Sequence, residues 1–208
     1  MKIVLASRNV HKIKELEEFL RPVIEPLELL TLDEAGITEE IEETGATFEE
    51  NAVLKARAAA SRGYVGIADD SGLEVDMLEG EPGVFSARYA GEPCDDRRNN
   101  TKLKRKLADV PPESRGAAFV SVIACILPWR PDRPLSARGI CRGVILNEER
   151  GQGGFGYDPL FYYPPLEKTF AEMSVAEKNS ISHRARAMKR FVKLLDETLK
   201  EYPAPRDL

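Results

Sequence analysis

Two adjacent aspartates follow a short apolar run near the middle of the chain. The stretch "GIADDSGLEVD" covers residues 66–76 and includes Asp69, Asp70 and Ser71. A carboxylate at the carboxyl end of a strand in an open α/β sheet lies where such sheets bind ligands. Asp70 can therefore hold a metal or activate water while Ser71 donates to a phosphate. An Asx-type turn explains the same residues equally well.

A second polar segment, "SRNVHK", covers residues 7–12 between an apolar run and a helical pattern. The N–H groups at the start of a helix and the positive end of its dipole favour an anion there. Ser7 and Asn9 can donate hydrogen bonds, and Lys12 adds a charge that the helix dipole alone disfavours. The segment predicts an anion-binding loop, with Asn9 as a plain N-cap as the alternative.

The segment "EETGATFEENAVLKA" (42–56) combines acids with a strong helix start. Thr47 has the type and position of an N-cap, and an alanine-rich body follows it. Glu43 is one of two acids before a Thr-Gly turn that can bind Mg²⁺, whereas the acids closer to the helix compensate its dipole. Lys55 lies four residues after Asn51 and shares its helix face, where both can meet a phosphate.

A glycine-rich loop, "GGFGYDP", covers residues 153–159. Gly156 and its neighbouring glycines let the backbone approach a ligand closely. Phe155 and Tyr157 offer faces on which a nucleobase can stack, and Asp158 can accept a hydrogen bond from a purine ring N–H. The alternative is a plain loop whose aromatic rings pack on the core.

The last helix, predicted over about 181–200, begins with an unusual concentration of donors. Lys178 lies just before it, and His183 and Arg184 fall in its first turn. Cations at a helix N-terminus oppose the macrodipole, so a bound anion or electron-rich base explains them better than a structural role does.

The elements that must position these residues alternate between strands and helices early in the chain. They end in a predicted β-hairpin and a final helix. This order predicts an α/β fold with a mixed sheet and no linker long enough to separate independent domains. The predicted strands are 2–6, 23–32, 64–70, 116–129 and 135–146.

Length, charge and cysteine usage narrow the class of protein. The 208 residues fit one sizeable domain, or one domain with two lobes. A net charge of −5 argues against a general nucleic-acid binder, but not against a small anionic substrate. The three cysteines have neither zinc-site nor disulfide spacing, and Cys125 is expected to be a buried thiol. The N-terminal apolar run is too short for a signal peptide or membrane span, so we expect a cytoplasmic enzyme.

Taken together and in this order, six segments resemble the Ham1/inosine triphosphatase family over residues 7 to about 190. The resemblance implies Mg²⁺-dependent hydrolysis of ITP, dITP and XTP to the monophosphate and pyrophosphate, which cleanses the nucleotide pool of deaminated purines. It also implies a homodimer and an elongated fold, in which a single domain (1–208) has two lobes around a long, mixed, twisted sheet and a central substrate cleft. The segments are "SRNVHK", "EETGATFEENAVLKA", "ADDSGLEVD", "PGVFSARYAG", "GGFGYDPLF" and "EKNSISHR".

The resemblance also implies a role for each matching residue. Asp70 corresponds to the general base and Mg²⁺ ligand, Glu43 to the second metal-site acid, and Lys55 to a catalytic lysine on the phosphates. Ser71 is expected to contact substrate. The residues expected on the triphosphate are Ser7, Asn9, Lys12 and Lys55. Those expected at the nucleobase are Phe155, Gly156, Tyr157, Asp158, Lys178, His183 and Arg184.

Two other functions fit parts of the same pattern. A Maf-type pyrophosphatase would use similar chemistry on pyrimidine or modified nucleotides. A non-catalytic nucleotide- or RNA-binding module would use the aromatic residues and the basic terminal helix, although the acidic net charge opposes it.

Overall fold

The computed structural model describes residues 1–7 and 10–205, without the side chains at positions 10–12, 14 and 15. The chain divides into two compact units. Unit 1 comprises Met1–Asp70, Ser121–Gly139 and Arg186–Leu208, and unit 2 comprises Ser71–Val120 and Ile140–Ala185. Along residues 1–7 and 10–205, none of the helices is long and apolar enough to cross a lipid bilayer.

The strands of the described residues are β1 (Lys2–Leu5), β2 (Glu28–Thr31), β3 (Val65–Val75), β4 (Gly116–Ile126), β5 (Leu135–Ile145), β6 (Phe161–Tyr163) and β7 (Lys168–Thr169). They join one sheet in the order β2-β1-β3-β4-β5-β6-β7. β1 pairs in parallel with β2 and β3, whereas β6 pairs antiparallel with β5 and β7. The predicted α/β fold with a mixed sheet is therefore confirmed.

The α-helices of the described residues are α1 (Val10–Leu20), α2 (Phe48–Ala60), α3 (Asp96–Lys106), α4 (Val175–Ile181) and α5 (His183–Glu201). Thr47 caps α2 as predicted, because its side chain accepts a hydrogen bond from the Glu50 N–H. Ser182 precedes α5, and its hydroxyl accepts from the Ala185 N–H at 3.2 Å. These contacts supply partners for N–H groups that a helix leaves unpaired at its start.

Several elements differ from their predicted extent. β3 continues five residues beyond the predicted end at position 70, and the predicted strand 23–32 forms only at Glu28–Thr31. Pro26, which cannot donate to a sheet ladder, lies before that short strand. β6, β7 and α4 were not predicted, because three, two and seven residues are too few for a periodic apolar pattern.

Each unit has its own apolar core. In unit 1, residues from β1, β3, β4, α1 and α5 pack together, among them Ile3, Ile67 and Phe191. Cys125 is buried in this core as predicted, and burial raises the pKa of its thiol. In unit 2, Phe119, Phe161 and Phe170 form an aromatic cluster with ring centroids 4.6–5.5 Å apart. Such ring pairs stabilise a core beyond the area that they bury.

The packing of α2 on β3 depends on Gly66. A Cβ atom at this position would lie 2.1 Å from the Ala56 carbonyl oxygen and 2.6 Å from the Ala60 backbone nitrogen. Only a residue without a side chain allows the helix backbone to approach the strand so closely. The close approach matters to the site because α2 carries Lys55 and β3 carries Asp70.

We predict that Gly66→Ala lowers the free energy of unfolding by about 1–3 kcal/mol, because the added methyl group meets backbone atoms that cannot move aside. Urea denaturation measures this loss. The Ala60→Gly substitution removes only the side-chain contact at 3.0 Å. Recovery of stability in the Gly66→Ala/Ala60→Gly double variant would show that the backbone contact is not the limiting one.

Candidate active site

Lys55 lies between two carboxylates in unit 1. Its ammonium donates to Asp70 Oδ1 at 2.8 Å and to Glu43 Oε1 at 2.9 Å. The side chains of Lys55 and Asp70 are each 12% exposed, and that of Glu43 is 30% exposed. Three of the predicted site residues, from the segment before α2, from α2 and from β3, are thus brought together. We call them the lysine–carboxylate cluster.

The irregular segment that carries Glu43 is held by the start of α2. The buried Asn51 side chain accepts a hydrogen bond from the Gly45 N–H at 2.7 Å. Glu50 accepts from the Ala46 N–H, also at 2.7 Å. Gly45 is packed so tightly that a Cβ there would lie 2.6 Å from the Asn51 Oδ1 atom. Asn51 therefore orients the segment that brings Glu43 to Lys55.

The pKa values of Asp70 and Lys55 are both raised, but for different reasons. Burial raises the pKa of Asp70, and Glu43 and Asp69 raise it further, while Lys55 opposes the shift. Burial alone would lower the pKa of Lys55, but the attraction of Asp70 and Glu43 outweighs it and raises that pKa. Lys55 is therefore held firmly in its charged form.

The carboxyl end of β1 lies beside the middle of β3. Leu5 pairs with Ile67, and the Ala6 N–H donates to the Ile67 carbonyl at 2.8 Å. Ser7 therefore follows the end of β1, at the point where β3 continues through Asp69. Of the other predicted phosphate ligands, Asn9 lies outside the described residues. Lys12 falls in the first turn of α1, and its side chain lies outside the description.

The resemblance implies Mg²⁺ at Glu43 and Asp70, and the donor set fits this ion. Mg²⁺ binds through one or two carboxylates together with substrate phosphates, rather than in a cage of protein ligands. Two carboxylates share Lys55 here, and Asp69 also acts on Asp70. Among the side chains that the structure describes, no group of three or more His, Cys, Asp or Glu residues is arranged to hold a metal. The cluster therefore suits an ion that arrives with a phosphate ligand.

In unit 2, Ser71 is brought together with the start of α5. The Arg184 guanidinium donates to the Ser71 hydroxyl at 3.4 Å. The adjacent His183 is buried, and its ring stacks on Phe119 with centroids 4.9 Å apart. The aromatic core thus fixes the orientation of the first residue of α5.

The two aromatic residues of the glycine-rich loop have different surroundings. Phe155 is 65% exposed, whereas Tyr157 is 4% exposed within the unit 2 core. The Tyr157 hydroxyl donates to the Ser86 carbonyl at 2.8 Å, and burial raises its pKa. Of the two predicted stacking faces, Phe155 presents its ring to solvent. Tyr157 instead packs on the core, as the alternative interpretation of this loop predicts.

The Asp158 side chain hydrogen-bonds to the backbone of its own loop. Its buried carboxylate accepts from the Phe155 N–H at 3.0 Å and from the Lys178 ammonium at 2.5 Å. The Lys178 nitrogen also lies 5.0 Å from the Phe155 ring centroid, within cation–π range. Asp158 thus holds the backbone of Phe155, and Lys178 lies beside its ring. One oxygen of the Asp158 carboxylate, which was predicted to bind the base, is therefore already hydrogen-bonded within the protein.

The sequence did not point to the part of α3 that contacts this loop. Asp96 and Asn100 hydrogen-bond to the backbone of Gly156. Their signal is present in retrospect, because Asp96, Asn100, Leu103 and Leu107 follow helical spacing in an otherwise basic segment. The contact of Phe119 with His183 was not predicted either, because Phe119 is one of many apolar residues in a buried strand.

Two features are typical of a nucleotide-binding protein. One is an α/β sheet with a lysine–carboxylate cluster, and the other is an exposed aromatic ring with a cation beside it. The chain belongs to the Ham1 family, whose model matches residues 3–194. This finding confirms the family recognised from the six sequence segments.

Curated relatives share about half of the residues of this chain. A "dITP/XTP pyrophosphatase" of Desulforamulus reducens is 51% identical over 94% of this chain and 96% of its own length. One of Leuconostoc mesenteroides is 50% identical over 96% of this chain and 99% of its own. Among solved structures, a HAM1 protein from Coxiella burnetii has a TM-score of 0.88 at 42% identity, covering 95% of this chain and 99% of that one.

We predict that Lys55→Met lowers the free energy of unfolding by about 1–3 kcal/mol, because two mostly buried carboxylates lose their shared donor. Urea denaturation without divalent ions measures the loss. The matched control is Lys104→Met, since Lys104 pairs with Glu149 on the surface and should contribute at most about 1 kcal/mol. Equal losses in the two variants would contradict the prediction.

Proposed function

We propose that the chain hydrolyses dITP, ITP and XTP to the corresponding monophosphate and pyrophosphate. The observation that carries the proposal is the lysine–carboxylate cluster, with Lys55 between Glu43 and Asp70. The printed names of relatives at about 50% identity support the substrate class. Glu43 and Asp70 would hold Mg²⁺, whose positive charge would neutralise phosphate oxygens.

The remaining chemistry falls to groups of the chain itself. The reaction adds the oxygen of water to the α-phosphorus and breaks its bond to the oxygen that bridges to the β-phosphate. Asp70 orients the water and accepts its proton. Negative charge then develops on the pyrophosphate, and the ammonium groups of Lys55 and Lys12 stabilise it. Ser7, Asn9 and Ser71 donate hydrogen bonds to the phosphates.

Selectivity is proposed to rest on the edge and face of the base. Hypoxanthine and xanthine carry an oxygen at position 6, which suits the donors Arg184, His183 and Lys178. Asp158 suits the N1–H, and Phe155 supplies the stacking face. Adenine reverses this donor and acceptor pattern and leaves such groups unpaired, at a cost of about 10- to 200-fold for each contact. Guanine shares the pattern, so its exclusion must act on the 2-amino group.

We predict that Asp70→Asn lowers kcat for dITP by at least about 100-fold, because an amide cannot accept the proton of the attacking water. The affinity for dITP without divalent ions, measured by calorimetry, should change little. Asp76→Asn is the matched control, since Asp76 lies exposed just after β3 and pairs with Arg142. Turnover of Asp70→Asn like that of the unsubstituted protein would exclude Asp70 as the base.

A panel of triphosphates with Mg²⁺, scored separately for pyrophosphate and phosphate release, tests the substrate class. We expect pyrophosphate from dITP, ITP and XTP, at a kcat/KM at least about 10-fold above those for ATP and GTP. Removal of divalent ions should stop the reaction. Preference for UTP or 5-methyl-UTP would favour a Maf-type enzyme. No pyrophosphate from any triphosphate would favour a non-catalytic binding module.

The broader expectations of the resemblance are also proposals. They are a homodimer, a cytoplasmic location, a central substrate cleft and a role in removing deaminated purines from the nucleotide pool. Light scattering on the purified protein tests the dimer. Survival of a deletion strain under nitrosative deamination of purines tests the role in the cell.

A further inference from the structure

Helix α3 holds one residue of the glycine-rich loop from both sides. The Asp96 carboxylate accepts from the Gly156 N–H at 2.7 Å, and the Asn100 side-chain amide donates to the Gly156 carbonyl at 3.1 Å. Asp96 and Asn100 are four residues apart and therefore lie on the same helix face. We call this pair the α3 clamp. Because both polar groups of Gly156 are bound, the clamp fixes its backbone.

Asn100 is buried, so its side chain does not serve simply to face water. Its side chain is 4% exposed, although α3 is otherwise rich in exposed arginine and lysine. A buried amide costs stability unless hydrogen bonds compensate it. The neighbouring Asn99 is also buried, and it binds the Ala90 N–H and the Ala87 carbonyl. The inner face of α3 is thus built to hold two loops by their backbones.

The loop itself has little freedom next to the clamp. Gly156 has a φ of +60°, which favours glycine, so the backbone turns sharply directly after Phe155. On the other side, Asp158 accepts from the Phe155 N–H. Phe155 is therefore held by its own N–H and by the clamped residue that follows it. The ring of Phe155 is thus 65% exposed on a constrained backbone, which is the arrangement that a rigid stacking face requires.

We propose that Asp96 and Asn100 are positioning residues that hold Phe155 as the stacking face for the purine base. The inference rests on the proposed function. The clamp acts through the backbone of Gly156 and touches no substrate. It therefore governs affinity for the base and leaves binding of the phosphates unchanged.

The first test compares Asn100→Ala and Asp96→Ala with Arg97→Ala, an exposed position on the same helix. We expect each clamp variant to raise KM for dITP about 5- to 10-fold, equivalent to one lost hydrogen bond, with kcat nearly unchanged. Arg97→Ala should match the unsubstituted protein. Asp96→Asn keeps an acceptor oxygen and should recover most of the affinity.

Two further readouts separate positioning from a general structural role. Inhibition by inorganic tripolyphosphate, which has no base, should be the same in the clamp variants and the unsubstituted protein. In a double-variant cycle, Asn100→Ala should have little further effect once Phe155→Ala has removed the ring. Weaker tripolyphosphate inhibition, a fall in kcat or full additivity with Phe155→Ala would overturn the proposal. If the unsubstituted protein did not hydrolyse dITP, the proposed function itself would fail instead.

Discussion

The geometry of the lysine–carboxylate cluster depends on Lys55, whose ammonium group is shared by two mostly buried carboxylates. Its partners come from an irregular segment and from a strand, and their sequence positions are 27 residues apart. Without a cation between them, Glu43 and Asp70 would repel each other in a poorly solvated place. On the proposed function, Glu43 and Asp70 would hold Mg²⁺, whose charge would neutralise them, and the Lys55 ammonium would be available to the phosphates.

Backbone constraints support this cluster at two points. Gly66 lets α2 pack closely on β3, which places the Lys55 ammonium within hydrogen-bond distance of the Asp70 carboxylate. Asn51 holds Gly45, so the chain that leads to Glu43 enters α2 along one path. Neither residue performs chemistry, but a functional group works only when the elements around it are held in place.

The residues proposed to recognise the base are held in a different way, within unit 2. Its groups are fixed by an aromatic core and by hydrogen bonds to backbone atoms, as when His183 stacks on Phe119. The α3 clamp belongs to the same construction, since it acts on Gly156 and not on a side chain. Ser71 directly follows Asp70 in β3 and so links the two sets of residues along the chain.

The sequence allowed prediction of the features that depend on local pattern. Thr47 as the cap of α2 and the strands β1 and β4 follow from spacing and residue type. What it could not predict depends on tertiary packing. In the sequence Tyr157 resembles a stacking residue, but in the folded protein it is buried in the core. In the sequence Asn100 and Asp96 resemble surface residues of a basic helix. Only the folded structure shows that they hydrogen-bond to the backbone of Gly156.

Isotope incorporation from solvent measures most directly whether water attacks the α-phosphorus. The protein is incubated with dITP and Mg²⁺ in ¹⁸O-water, and the two products are separated and weighed by mass spectrometry. The proposed chemistry predicts one ¹⁸O atom in dIMP and none in pyrophosphate. Label in pyrophosphate, or release of orthophosphate with dIDP, would contradict attack of water on the α-phosphorus.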